Sequence, residues 1–163
     1  MTYRVCFVCT GNICRSPMAE SVFRARVAEA GLDGLVEVDS AGTGDWHEGE
    51  GADPRTLSVL EQHGYVLDHT ARMFEPSWFA RLDLVIALDA GHLRALRRLA
   101  PTPEDAGKVR LLRSYDPAAQ DDLDVPDPYY GGRDGFEECL EMVEVASSGL
   151  LTAVSEDLEG RVP

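Results

Sequence analysis

An apolar segment near the start of the chain runs directly into a short loop and then into a helix-forming segment. The segment Tyr3–Val8 is rich in apolar and β-branched residues, as in a buried parallel strand. Ser16 is a favourable N-cap and Pro17 suits the first helical position, so we predict a helix extending to Gly31. This order of elements predicts an α/β fold whose loop lies at the carboxyl end of the first strand.

The loop carries the sequence Cys-Thr-Gly-Asn-Ile-Cys-Arg-Ser, residues 9–16. The residues between Cys9 and Arg15 can turn their backbone N–H groups inward and form a nest for a tetrahedral oxyanion. These amides, the helix N-terminus and Arg15 all favour the thiolate form of Cys9. The loop therefore predicts one site that binds phosphate and activates a nucleophile, with Arg15 holding two phosphate oxygens. The alternative, a buried structural Cys9 beside a surface Arg15, leaves the strand, loop and helix unexplained.

The loop resembles the signature of the low-molecular-weight protein tyrosine phosphatases. The resemblance covers almost the whole chain and is closest to the small actinobacterial members. It implies hydrolysis of phosphotyrosine through a phosphocysteine intermediate on Cys9. Other segments resemble the family's later landmarks, in the family's order: Ser40-Ala41-Gly42-Thr43, Trp46 with Asp53-Pro54-Arg55, His69 followed by Ala71-Arg72, and Asp127-Pro128-Tyr129-Tyr130-Gly131.

The resemblance assigns the proton transfers to Asp127. This carboxyl would protonate the departing tyrosyl oxygen and then act as base on the water that hydrolyses phosphocysteine. From the residues alone, Asp127 belongs to an acidic stretch, and Asp-Pro is also a common turn sequence. The catalytic role of Asp127 therefore rests on the resemblance.

Several polar residues are candidates for supporting the loop. Ser16 can donate its hydroxyl hydrogen to the Cys9 thiolate, and Asn12 tolerates the positive φ that such a turn requires. The resemblance pairs Asn12 with Ser40 and His69. The other histidines belong to no catalytic motif. The remaining members of the phosphate-binding loop are Thr10, Gly11, Ile13 and Cys14.

Substrate selection is predicted to come from the walls of the pocket. The resemblance places Trp46, Tyr129 and Tyr130 there, and a deep aromatic slot admits phosphotyrosine while phosphoserine is too short to reach the thiol. Trp46 lies in a polar, glycine-rich segment that is typical of an exposed loop. Ile13 occupies the position where related phosphoarginine phosphatases carry Thr, and an apolar side chain there favours the aromatic substrate.

The cysteines suggest redox sensitivity and no metal site. Cys14 lies in the loop and could form a disulfide with an oxidised Cys9, although a thiol that merely packs is the alternative. Cys6 and Cys139 are expected in the core. The spacing of Cys and His residues matches no metal motif, and we expect no cofactor.

Length, composition and charge indicate the number of domains, the compartment and the kinds of partner to expect. A chain of 163 residues with 44% hydrophobic residues can build one domain, 1–163, with a sizeable core. The net charge of −14 argues against nucleic-acid and membrane-surface partners. The chain shows no leader or membrane-spanning run, so we expect a cytoplasmic monomer acting on phosphotyrosine proteins, with leaderless export left open.

The rest of the chain alternates between strand and helix patterns. Together they predict a four-stranded, parallel, twisted sheet with helices on both faces. A helical stripe begins near Gly135 and includes Gly149 as a weak point. The other predicted elements are strands at Val36–Ser40, Leu84–Leu88 and Val109–Leu112, and helices at Pro54–His63 and Ala90–Leu99.

Other functions remain open besides phosphotyrosine hydrolysis. An arsenate reductase-like thiol oxidoreductase needs further cysteines to relay a disulfide, and the segment Leu82–Leu99 has none. A phosphoarginine phosphatase would use the same loop. A non-catalytic phosphotyrosine reader would be expected to lack Cys9 or Asp127, yet the chain has both.

Overall fold

Four parallel strands form the centre of the computed structural model, which describes residues 2–161. They are hydrogen-bonded in the order β2-β1-β3-β4, and each neighbouring pair is parallel. The predicted four-stranded parallel sheet is therefore confirmed. The expected domain 1–163 includes Met1, Val162 and Pro163, which lie outside the described residues. The strands are β1 (Tyr3–Cys9), β2 (Val36–Gly42), β3 (Leu84–Ala87) and β4 (Val109–Leu111).

Within residues 2–161, five α-helices connect and cover the strands. Carboxylates cap two of them: Asp53 accepts from the Arg55 N–H and Asp89 from the His92 N–H, which satisfies N–H groups that have no partner within the helix. The last helix begins two residues before the predicted Gly135. The helices are α1 (Arg15–Glu29), α2 (Pro54–Gln62), α3 (Ala90–Leu99), α4 (Pro103–Gly107) and α5 (Arg133–Arg161), with 3-10 turns at Pro76–Ala80 and Leu112–Tyr115.

The two faces of the sheet pack into two separate hydrophobic clusters. Tyr3, Val5 and Phe7 of β1 pack with apolar residues of α1 and α5. Cys6 and Val8, on the opposite face of the same strand, pack with residues of α3 and the first 3-10 turn. Side chains alternate between faces along a strand, so a central strand covered on both sides is apolar throughout. Helices on both faces and a core position for Cys6 are confirmed.

The prediction that Ser16 is the N-cap of the first helix is wrong. Helix α1 begins at Arg15, and Cys14 occupies the N-cap position without a side-chain cap. The Ser16 hydroxyl instead lies within hydrogen-bonding distance of Cys9 and Asn12 in the preceding loop. Pro17 still lies in the first turn, where its missing N–H removes no helical hydrogen bond.

Gly149 is a contact point inside α5 and does not interrupt the helix. A Cβ atom at this position would lie 1.9 Å from the carbonyl oxygen of Tyr115. The glycine therefore lets the helix pack directly against the backbone of the second 3-10 turn. Across residues 2–161, no helix has the length and apolar character required to cross a bilayer.

Candidate active site

The loop between β1 and α1 directs several of its carbonyl groups outward. The carbonyls of Cys9, Thr10 and Ile13 accept hydrogen bonds from backbone N–H groups of the segments after β2, at 2.8, 3.1 and 2.9 Å. A trans peptide whose C=O points outward directs its N–H the opposite way. The N–H groups of Thr10, Gly11 and Cys14 therefore turn toward the centre of the loop and can form an oxyanion nest.

Cys9 lies at the base of this loop. Cys9 is only 3% exposed, and its Sγ atom is 3.0 Å from the buried Ser16 Oγ. Asn12 Nδ2 donates to the same Ser16 oxygen at 2.9 Å, so the Ser16 hydrogen is directed elsewhere. The Cys9 sulfur is the nearer acceptor, because the alternative, the carbonyl of Ala41, lies at 3.3 Å. The arrangement stabilises a thiolate by a charge-assisted hydrogen bond.

Asn12 holds the turn of the loop in its positive-φ conformation. Its φ is 58° and its side chain is completely buried. Its Nδ2 donates to Ser40 Oγ at 3.0 Å, while its Oδ1 accepts from the Arg72 N–H at the same distance. The Nε2 atom of His69 lies 2.6 Å from the Asn12 carbonyl oxygen. The structure thus places Ser40 and His69 behind the loop and outside the cavity.

The supporting network continues to a buried carboxylate that sequence reasoning missed. Ser40 Oγ donates to Glu20 Oε1 at 2.7 Å, and Arg24 forms an ion pair with the other oxygen of Glu20 at 2.9 Å. Glu20 is only 6% exposed. A buried carboxylate with both oxygens occupied fixes the donors around it.

Arg15 is held at the edge of the loop by groups from two other elements. Its Nη1 atom donates to Asp89 Oδ2 and to the Val125 carbonyl, both at 2.9 Å, and its Nη2 lies 3.6 Å from Asp127 Oδ2. Both Nη1 hydrogens are therefore used, which leaves the Nε and Nη2 edge for an anion. Burial opposes the charge, but the thiolate of Cys9 and the two carboxylates outweigh it and raise the pKa of Arg15.

Asp89 and His92 also belong to the site and were not predicted. Asp89 follows β3, the strand beside β1, so both strands end at the same edge of the sheet. A carboxylate shortly after a strand that lies beside β1 is the sequence pattern that could have identified Asp89 in advance. His92 Nε2 lies 2.8 Å from Thr10 Oγ1. Burial is the main cause that lowers the pKa of His92 to about 4.

A cavity of about 420 Å³ opens above the loop. Asp127 lies at its rim with a 43% exposed side chain, and its Oδ1 accepts from the Tyr129 N–H at 3.1 Å. Trp46 and Tyr130 are 71% and 92% exposed. His47 also lines the cavity, although no sequence motif selects it. The lining residues are Cys9, Thr10, Gly11, Ile13, Cys14, Arg15, Trp46, His47, Asp127, Tyr129 and Tyr130.

Arg55 links the side of the cavity formed by the loop 9–16 to the rim of the cavity. Its guanidinium pairs with Asp53 at 2.9 Å, lies 5.4 Å from the ring centre of Tyr129, and donates to the Gly131 carbonyl at 3.3 Å. Cation–π and hydrogen-bond contacts of this kind restrain an exposed segment. Arg55 belongs to one of the segments that resemble the family's landmarks, but the sequence predicts no role for it.

The other thiols near the site are buried. Burial, with a contribution from Asp53, raises the pKa of Cys14 to about 12, and burial raises that of Cys139 to about the same value. Cys139 is 2% exposed, in agreement with its expected core position. Among residues 2–161, no group of three or more His, Cys, Asp or Glu side chains is arranged to hold a metal ion.

Curated relatives match this chain along nearly its full length. The chain is 82% identical over 162 residues to the low molecular weight protein-tyrosine-phosphatase of Streptomyces coelicolor, covering 99% of both chains. It is 48% identical over 160 residues to the low molecular weight protein-tyrosine phosphatase A of Mycobacterium tuberculosis, covering 98% of this chain and 96% of that one. These two relatives agree with the actinobacterial likeness.

Solved structures and a family model give the same assignment. A protein tyrosine phosphatase of Entamoeba histolytica superposes with a TM-score of 0.91 at 33% identity, covering 96% of this chain and 99% of that one. A Drosophila arginine phosphatase superposes with a TM-score of 0.86, also at 33% identity, covering 92% and 96%. The model of the low molecular weight phosphotyrosine protein phosphatases matches residues 4–160. The chain belongs to that family.

Proposed function

We propose that this protein hydrolyses phosphotyrosine in protein substrates through a phosphocysteine intermediate on Cys9. Membership of the family supports the reaction class. The observation that carries the residue assignment is the buried Cys9 thiol at the base of an inward-facing ring of amides, beside a guanidinium whose Nη1 is hydrogen-bonded and whose Nε and Nη2 edge is left for an anion. This arrangement binds the phosphoryl group and presents it to the nucleophile.

In the first step, the thiolate of Cys9 attacks phosphorus in line with the tyrosyl oxygen. An S–P bond forms as the P–O bond to tyrosine breaks, and Asp127 transfers its proton to the departing oxygen. The Nε and Nη2 edge of Arg15 and the loop amides hold the equatorial oxygens, where the charge lies in the transition state. The exposed position of Asp127 above the loop suits a group that meets the leaving oxygen.

In the second step, water releases phosphate from Cys9. Asp127, now ionised, accepts a proton from the attacking water while the S–P bond breaks and the thiolate is regenerated. The Ser16 hydroxyl, 3.0 Å from the sulfur, stabilises the departing thiolate. Asn12, Ser40 and His69 support the loop through the hydrogen bonds described above and do not touch the substrate.

The rim selects the aromatic substrate. Trp46, Tyr129 and Tyr130 provide apolar ring faces around the opening, and a phosphotyrosine side chain is long enough to reach the base of the loop between them. Phosphoserine would leave its backbone in collision with the rim before its phosphate reached Cys9. The substrates are therefore phosphotyrosine proteins.

Phosphoarginine hydrolysis is the second candidate, because the Drosophila arginine phosphatase has the same fold. Ile13, which lines the cavity, distinguishes the two activities. An isoleucine offers the guanidinium of phosphoarginine no hydrogen-bond acceptor, whereas a threonine hydroxyl would. We expect Ile13→Thr to raise the ratio of phosphoarginine to phosphotyrosine hydrolysis, with Ile13→Val as the matched control.

Cys14 is the proposed redox partner of Cys9. Its high pKa keeps it protonated near neutral pH, so it competes little with Cys9 as a nucleophile. Oxidation of Cys9 by a peroxide to sulfenic acid would allow the Cys14 sulfur, as it loses its proton, to attack the Cys9 sulfur; the S–S bond forms as the S–O bond breaks, and the hydroxyl leaves with the proton as water. Cellular thiols reduce the disulfide. We also propose that the protein is a single catalytic domain that acts as a cytoplasmic monomer without a metal or cofactor.

The deciding experiment compares phosphotyrosine, phosphoserine and phosphoarginine peptides with the wild type and Cys9→Ser. We expect hydrolysis of phosphotyrosine by the wild type and no turnover by Cys9→Ser. Rapid denaturation at alkaline pH during turnover should trap phosphate bonded to sulfur in the wild type. Turnover that survives Cys9→Ser, or a phosphoenzyme on another residue, contradicts the proposal.

A further inference from the structure

His92 joins two parts of the candidate site that come from different strands. It is the third residue of α3 and is only 5% exposed. Its Nε2 atom lies 2.8 Å from the Oγ1 atom of Thr10, the residue directly after Cys9. A buried imidazole is thus in contact with the phosphate loop next to the nucleophile.

The neighbouring carboxylate determines which nitrogen of His92 carries the hydrogen. Nδ1 lies 3.2 Å from Asp89 Oδ1, which also accepts from the His92 backbone N–H at 2.9 Å. A carboxylate favours a hydrogen on the nitrogen that faces it, even where the angle does not reach that of a hydrogen bond. Nε2 is then a lone-pair acceptor for the Thr10 hydroxyl. The low pKa of His92 keeps the ring neutral near pH 7.

The second oxygen of Asp89 extends this path to the phosphate-binding guanidinium. Asp89 Oδ2 accepts from Arg15 Nη1 at 2.9 Å. The path Thr10, His92, Asp89, Arg15 therefore spans the mouth of the loop, and it joins residues more than 70 positions apart in the chain. At one end, the contact with Thr10 fixes the peptide after Cys9. At the other end, the contact with Asp89 fixes the anion-binding guanidinium of Arg15.

We propose that His92 is a positioning residue for phosphate binding. It holds Thr10, and with it the amides next to Cys9, at a set distance from the Asp89–Arg15 pair. The phosphoryl group then meets amides and guanidinium already placed for it, which lowers the ordering cost of binding. The inference rests on the proposed function, because it assigns a role within the same phosphate site.

Two side-chain replacements separate the contacts of His92. In His92→Asn, the amide reaches the position of Nδ1 and can face Asp89 but cannot reach Thr10. In His92→Gln, the amide oxygen reaches the position of Nε2 and can accept from Thr10. Thr10→Val removes the hydroxyl with little change of shape, and because Thr10 is exposed, this variant folds even if a change at His92 does not.

The measurement is the dissociation constant of inorganic phosphate, determined by calorimetry, together with the melting temperature. Thr10→Val and His92→Asn should each weaken phosphate binding by about three- to tenfold, the range expected for one hydrogen bond. The double variant should bind no more weakly than either single variant, because both remove the same bond. His92→Gln should return to within about twofold of the wild type.

His63→Gln is the matched control, since the exposed His63 pairs with Glu137 away from the site. Its phosphate affinity should equal that of the wild type. Phosphate affinity unchanged in Thr10→Val, or losses that multiply in the double variant, would overturn the role of His92. Binding of phosphate is measured without turnover, so a failure of the proposed hydrolysis would show separately as a wild type inactive on aryl phosphates.

Discussion

The two sides of the candidate active site are built in opposite ways. Except for Thr10 and Gly11, the loop 9–16 is buried, and other segments of the chain hydrogen-bond to it, with Asn12 and Ser16 fully inaccessible to solvent. The segment 121–131 contains no helix or strand, and its functional side chains, Asp127 and Tyr130, are exposed. The first side is therefore built to bind phosphate with fixed geometry, whereas the second can adapt to the leaving group and the protein substrate.

This difference leads to distinct expectations for substitutions. A change in the loop alters groups that every phosphate ester uses, so it should slow all substrates alike. A change in the exposed segment alters groups that only some leaving groups need, so it should discriminate between substrates.

The largest effect is expected for Arg15→Lys. Lysine keeps the charge but loses the planar fork and cannot satisfy Asp89, the Val125 carbonyl and phosphate together. We expect kcat/KM to fall by about 10³ for activated and unactivated aryl phosphates alike, as when a transition-state donor is removed. Arg98→Lys, on the exposed last turn of α3, is the control. A loss below about tenfold would contradict a phosphate-binding fork.

The loop side should also make folding sensitive to acid through His92. Its pKa is about 4 in the fold and 6.5 in the reference state, so between these values the unfolded chain binds more protons. The free energy of unfolding should therefore decrease as pH falls from about 6.5 to about 4, by on the order of 3 kcal/mol from this group. Urea unfolding of the wild type and His92→Gln at pH 7 and pH 4.5 provides the measurement.

His92→Gln cannot bind this proton, so its stability should decline less with falling pH than that of the wild type. Other acidic groups titrate in both proteins and cancel in the comparison. Parallel pH dependences for the two proteins would show that the imidazole is not held neutral in the fold.

A smaller effect, confined to one class of substrate, is expected for Asp127→Asn. Tyrosine is a poor leaving group and needs the proton, so its phosphate ester should be hydrolysed about 10²-fold more slowly. An activated nitrophenyl ester needs no proton and should be slowed by less than about fivefold. Asp121→Asn, an exposed carboxylate in the same segment, is the control. Equal slowing of both esters would argue against an acid on the exposed side.

The same contrast explains what the sequence could predict. The strand, the loop and the helix are consecutive, so their order and chemistry are visible in residues 3–31. Contacts that depend on the sheet order are not visible: Arg15 meets Asp89 across 74 positions and Thr10 meets His92 across 82. The parallel pairing of β1 with β3 brings these side chains together. Local rules cannot anticipate such pairing, although the carboxyl-end rule could have selected Asp89.

The error at Ser16 has a similar physical origin. A serine before a proline satisfies the local pattern of a helix start. In the structure, the helix begins two residues earlier, at Arg15, and the Ser16 hydroxyl lies within hydrogen-bonding distance of Cys9 and Asn12 instead of capping the helix. A local propensity was overridden by the hydrogen-bonding needs of the site, as expected where function imposes its own geometry.

The smallest effect is expected for Gly44→Ala, which tests the exposed rim of the cavity at Trp46 without altering a functional side chain. A Cβ atom at Gly44 would lie 1.9 Å from the Trp46 ring, whereas one at Gly34 would have no neighbour within 4 Å. Because Trp46 is exposed, its ring can move away from the added methyl group. The free energy of unfolding should therefore be unchanged, although the Trp46 ring no longer lies in its original position on the rim. We expect KM for a phosphotyrosine peptide to rise about threefold with kcat unchanged, because contacts shared by ground and transition states are lost.

Gly34→Ala should match the wild type, and Trp46→Ala should reproduce the rise in KM. A fall in kcat for Gly44→Ala would mean that the rim also orients the reacting groups, and the division between the two sides would not hold.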